Sequence, residues 1–152
     1  MKKKIFILVT VIILLIAMSS TAFALYYPDS FYDAISWIYS YSATYTTSYN
    51  CLGYATGSMT WEWPSVWGSV ATQAEVDSYL DGLGYDPTTS HTAAWIISYG
   101  PSSNNITHFS KVTGTSWCRA KWGSLERFNH GDHSPYYSDS DYGLLRRMYY
   151  KP

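Results

Sequence analysis

Charge is scarce in this chain. Asp, Glu, Lys and Arg make up only 14% of its 152 residues, and there are just two cysteines and four histidines. Three of the ten basic residues are Lys2, Lys3 and Lys4. Beyond them seven Lys and Arg (10 − 3) stand against eleven Asp and Glu, a balance of about −4 (7 − 11). That balance excludes the polybasic footprint of a nucleic-acid binder and charge-driven adhesion to anionic membrane. No glycine-rich phosphate cradle and no internal repeat is present. The longest apolar run, 5–18, is interrupted at Thr10 and falls short of the roughly 20 residues that a membrane span needs.

What that run does fit is an export signal. A basic start, a short apolar stretch and the small-residue site Ala22-Phe23-Ala24 predict cleavage after Ala24. The expected organisation is a signal peptide at 1–24 and one domain at 25–152, secreted or held in the cell envelope, with no stable membrane insertion after cleavage. The remaining 128 residues (152 − 24) suffice for one core. Two cysteines in an exported chain leave a Cys51–Cys118 disulfide open as an alternative to free thiols.

Aromatic residues are abundant, 18% of the chain. Ser30 and Asp33 read as a capping box for a helix over 31–41. Tyr39, Tyr41, Tyr45 and Tyr49 follow in a Ser/Thr-rich stretch. A short helix is expected over 51–59, capped by Asn50, then a loop carrying Trp61, Trp63 and Trp67. Thr72 and Glu75 form a second capping box, and Val76, Leu80 and Leu83 recur at helical spacing before Gly84. Strands are expected over 91–99, 106–113, 116–122 and 142–150, with an irregular segment over 123–140. Helices first and an antiparallel sheet after them predict an α+β domain.

Cys51 opens a predicted helix, where the dipole lowers a thiol pKa. Histidines stand at His91 and His108 on consecutive predicted strands. Period-two geometry lets both face the Cys51 helix, with His91 as the base and His108 orienting it. Tyr49 and Asn50 are the nearest polar candidates for an oxyanion or substrate contact, and Trp122 for shielding the histidine from water. His130, Asp132 and His133 are metal-capable but lack the partners of a four-ligand site, so no metal and no cofactor is expected.

The blocks Asn50-Cys51-Leu52-Gly53-Tyr54-Ala55, Ser90-His91-Thr92-Ala93, Lys121-Trp122-Gly123, His130 and Pro135-Tyr136 resemble a group of uncharacterised bacterial proteins. Through them the chain is similar to papain-fold cysteine hydrolases of the NlpC type. The match spans 49–137. It departs from the usual NlpC-type block at Asn50 and Leu52, where that block has an Asp and a Ser. The resemblance implies a papain-like α+β fold, with N-terminal helices packed on a small antiparallel sheet, and a thiol hydrolase acting on amides or peptides, with cell-wall peptide as the substrate class. Two other functions fit the same residues. One is a non-catalytic binding module for cell-wall glycan or peptide, using the Tyr-rich segment and the Trp loop. The other is a secreted effector with the same thiol chemistry.

N-terminal sequencing of exported protein should read Leu25-Tyr26-Tyr27; material that retains Met1 would refute cleavage.

Overall fold

The computed structural model describes residues 25–66 and 69–152. The expected signal peptide and Trp67 therefore lie outside the described residues. Elements run in the order α1 (Asp29–Asp33), β1 (Ser40–Ala43), α2 (Cys51–Thr56), α3 (Gln73–Asp81), β2 (Asp86–Thr88), β3 (Ile96–Gly100), β4 (His108–Gly114), β5 (Trp117–Lys121), β6 (Arg127–His130) and β7 (Leu144–Tyr150). All seven strands join one sheet, in the order β1-β6-β5-β4-β3-β7-β2. Every pairing is antiparallel.

This overturns the expected papain-like α+β fold. The helices are only 5, 6 and 9 residues long, and the sheet runs almost the whole length of the described chain. The molecule is β-rich, with helices as attachments rather than as a layer.

The reasons are local. The helix expected over 31–41 ends at Asp33, and Pro28 rather than Ser30 stands at its N-cap. Ser36 stops it: the Ser36 hydroxyl donates to the carbonyls of Ile38 and Pro135, and Ser36 bridges Tyr136. That distant segment draws the chain into extended geometry before a second turn can form. The strand expected over 91–99 begins only at Ile96, because 91–93 form a turn. The segment expected to be irregular contains β6, which pairs with both β5 and β1. The Thr72 capping box is present, with Thr72 Oγ1 accepting from Glu75 N–H and Glu75 accepting from Thr72 N–H.

Successive strand residues point to opposite faces, and each face carries its own core. One core joins Cys51, Leu52 and Ala55 of α2, Val76 and Leu80 of α3, and Ile96, Phe109 and Tyr149 of the sheet. The other is aromatic and gathers Tyr32, Tyr99, Trp122, Phe128 and Tyr136 around Ile97, Cys118 and Ala120. The two cysteines are free thiols, one in each core. The sheet separates them, which resolves the open alternative against a disulfide. Among the described residues no helix is long and apolar enough to cross a membrane.

Two glycines let the start of β7 meet the end of β3. Gly143 has φ +63°, and a Cβ there would lie 2.4 Å from the Gly100 carbonyl carbon. Gly143→Ala combines backbone strain with a clash and should cost roughly 2–4 kcal/mol. Urea denaturation measures this; an unchanged midpoint would contradict the contact.

Candidate functional site

Cys51 begins α2. Asn50 caps that helix, its Oδ1 accepting from Gly53 N–H at 3.0 Å and its Nδ2 donating to Glu62 O at 2.6 Å. Asn50 is thus a cap that also ties down the Trp loop. The helix packs on the first face of the sheet, where the backbone N–H groups of Phe109, Leu52 and Cys51 itself are directed at the sulfur. Burial nevertheless dominates and pushes the Cys51 thiol up to about 11. The lowered pKa expected from the helix dipole is overturned by desolvation.

His108 begins β4. It pairs with Tyr99 across the sheet, so its ring lies on the aromatic face rather than on the face that carries α2. Cys51 and His108 nevertheless both reach one pocket of about 370 Å³, together with Trp61, Trp63, Gly123 and Tyr142. Tyr142 stacks on the His108 ring at 3.8 Å, 9° from parallel.

Behind His108 runs a chain of hydrogen bonds whose polarity can be worked out. His130 Nδ1 lies 2.8 Å from Ile38 O. A carbonyl can only accept, so His130 carries its proton on Nδ1. Burial pushes His130 down to about 4, so it is neutral at pH 7 and its Nε2 is bare. The Tyr136 hydroxyl, 3.2 Å away, donates to that nitrogen. Its oxygen then accepts from His108 Nε2–H at 3.0 Å. His108 Nδ1 is left with a lone pair and has no hydrogen-bond partner among the described residues. Burial also holds the His108 imidazole well below its ordinary value. The resting pair is a neutral thiol and a neutral imidazole.

His91 is not part of this arrangement. It sits exposed in the turn before β3, with its Nδ1 2.9 Å from His133 Nδ1. His133 in turn reaches Gly114 O at 3.2 Å. Gly114 ends β4 and His108 starts it, so the two histidines of the sequence reading belong to opposite ends of one strand. The expectation that both face the Cys51 helix fails because His91 precedes the strand and follows no period-two rule.

Tyr49 is buried, stacked on Tyr54 and covered by the Lys121 ammonium at 5.7 Å from its ring centre. Trp122 is fully buried and stacks on His130 at 6.0 Å, with its edge toward Tyr142. It is a wall behind the relay rather than a substrate contact. His130 and His133 part company, one joining the relay and the other facing His91. Among the described residues no cluster of three or more His, Cys, Asp or Glu could hold a metal.

Sequence reasoning quoted Tyr136 and His130 in its motif blocks but gave neither a place in the site, and it missed Tyr142. His130 shares the buried face of β6 with the apolar Phe128 two residues earlier, a strand signal inside a polar segment. Nothing in the sequence marks Tyr136 as the bridge.

The chain belongs to a family described as Domain of unknown function (DUF7689), which matches residues 40–150. No curated protein matches the chain. No solved structure matches it.

The relay has a stability consequence. His130 has a folded pKa below its unfolded value, so between about 6.5 and 4 the unfolded chain binds more protons. Its contribution is fully present above pH 6.5 and is lost as pH falls toward 4, a change of about 3 kcal/mol. His108 shifts in the same direction. Denaturant unfolding of wild type should weaken across that window and His130→Gln should flatten the dependence; a flat wild-type profile would contradict the buried neutral imidazoles.

Proposed function

We propose that the chain is a cysteine-dependent amide or peptide hydrolase in which Cys51 is the nucleophile and His108 the base. One observation carries this: a thiol and an imidazole share a pocket, and the relay through Tyr136 and His130 leaves the imidazole's Nδ1 free to accept a proton. The base role that sequence reasoning gave to His91 passes to His108, and the orienting role passes to Tyr136 and His130.

The steps balance without a cofactor. The Cys51 proton moves to His108 Nδ1. The thiolate attacks the carbonyl carbon, and the amine leaves with the proton from His108. Water, deprotonated by His108, then cleaves the thioester, releasing the acid and restoring the thiol. The backbone N–H groups at the start of α2 are donors for the developing oxyanion. No side chain lining the pocket carries a formal charge among the described residues, which suits a neutral amide. The imidazolium formed in the first step is stabilised by the Tyr136 hydroxyl oxygen, which already accepts from His108 Nε2–H.

Cell-wall peptide is the substrate class we favour, and an extracytoplasmic location goes with it. Both rest on the signal-like residues 1–24 and on the motif resemblance to NlpC-type enzymes. The papain-like architecture is no part of this reading; the support is the chemistry of the site. A non-catalytic binding module is the second reading. An open groove of about 770 Å³ favours it, lined by Trp37, Tyr39, Tyr41 and Tyr137 with the carboxylates of Asp29 and Asp33.

Incubation with purified bacterial peptidoglycan, read by release of free amines, tests the proposal. Cys51→Ala and His108→Ala should each lower the rate about a thousandfold or more, whereas His91→Ala should leave it unchanged. Full activity in folded His108→Ala would sink the assignment. Binding to cell wall with no amine release, unaffected by Cys51→Ala, would favour the binding module.

A further inference from the structure

Lys121 ends β5 and is fully buried. Its neighbours Ala120 and Trp122 face the aromatic core, so by alternation Lys121 faces the side that carries α2. Carrying the β4–β5 register toward the start of β4 sets Lys121 opposite Phe109, whose backbone N–H is directed at the Cys51 sulfur. The ammonium donates to Gly123 O at 2.8 Å and to Leu125 O, and it lies over the Tyr49 ring. Among the described residues it has no salt bridge; the one ion pair there joins Arg147 to Asp77.

Buried cations without a carboxylate partner are costly. Glu126 is close enough to act on Lys121 by charge. Its carboxylate accepts from Tyr26 N–H and the Tyr32 hydroxyl, each at 2.6 Å, and makes no direct hydrogen bond or ion pair with Lys121, though its charge is the larger of the two acting on the ammonium. The second group coupled to Lys121 is the Cys51 thiol, and each of the two favours the charged form of the other. The other titratable groups facing this pair are Tyr49 ahead of α2, Tyr142 and Tyr136 near the sulfur, His108 in the pocket, and Arg127 opposite Lys121 on β6.

We propose that Lys121 is the counter-charge for the Cys51 thiolate: a positioning residue that touches no carboxylate directly because the anion it serves exists only during reaction. Through Gly123 O the same ammonium also holds a wall of the pocket. This inference rests on the reading of Cys51 as a nucleophile. It explains how a thiol buried this deeply is made reactive. The imidazole removes the proton, and the lysine stabilises the charge left behind.

The test is the pH profile of Cys51 alkylation by iodoacetamide in the intact protein, with no substrate present. Burial lowers Lys121 to about 8. Below that pH the wild-type rate should climb with thiolate fraction. Above it, loss of the lysine charge should cancel further gain and flatten the curve. Lys121→Met should alkylate about tenfold more slowly at pH 7 and rise without a plateau toward pH 11. Lys121→Arg should keep the fast rate at pH 7 and lose the plateau, since arginine stays charged. Identical profiles in wild type and folded Lys121→Met would overturn the proposal. Should Lys121→Met not fold, a wild-type profile with no break near pH 8 overturns it equally. Complete inertness of Cys51 in wild type would instead refute the nucleophile itself. A reactive Cys51 insensitive to Lys121 would remove only this inference.

Discussion

The buried hydrogen-bond chain from Ile38 O through His130 and Tyr136 to His108 is the constraint on which the site depends. One end is a backbone carbonyl, which has no choice of role. Every proton along the chain is therefore determined, and the last imidazole presents a bare nitrogen. The chain also explains the topology around it. Ile38 lies just before β1, His130 ends β6, and Tyr136 bridges back to Ser36. One edge of the sheet is thus tied to the pocket at its end.

The electrostatics follow from burial. Two imidazoles and a thiol are held neutral in a buried, aromatic setting, with Trp122 and Tyr142 stacked around the rings. A neutral resting pair costs less to bury than a thiolate–imidazolium pair. In the proposed reaction, proton transfer from thiol to imidazole then has to accompany attack on the substrate carbonyl. Lys121 and the Glu126 carboxylate are charges retained inside. The lysine's hydrogen bonds to two carbonyls satisfy two of its three donors and do not offset its charge.

Part of this was legible in the sequence. Asn50 and Cys51 announce a capped helix start, and the α3 capping box at Thr72 and Glu75 is visible by spacing alone. His108 on a strand was readable from its apolar neighbours. The fold class was not. Six- and nine-residue helices carry a periodic signal out of proportion to their length, while β6 hides among Asn, His and Gly in a segment that looks polar. The sheet wins because strand pairing recruits residues far apart in sequence, such as Ser36 with Tyr136, and local pattern does not register such contacts. His91 misled for a related reason. Its neighbours Ala93, Trp95 and Ile97 mimic a strand, yet the pairing begins only at Ile96.

The most direct test of the account is the tautomer of His108, read by nitrogen-15 NMR of histidine-labelled protein at pH 7. The relay predicts a neutral ring with its proton on Nε2 and a bare Nδ1. Tyr136→Phe should break that preference while His130 keeps its proton on Nδ1. A His108 ring protonated on Nδ1 in wild type, or an imidazolium at that pH, would contradict the central claim: His108 would then have no free lone pair on Nδ1 to take a proton.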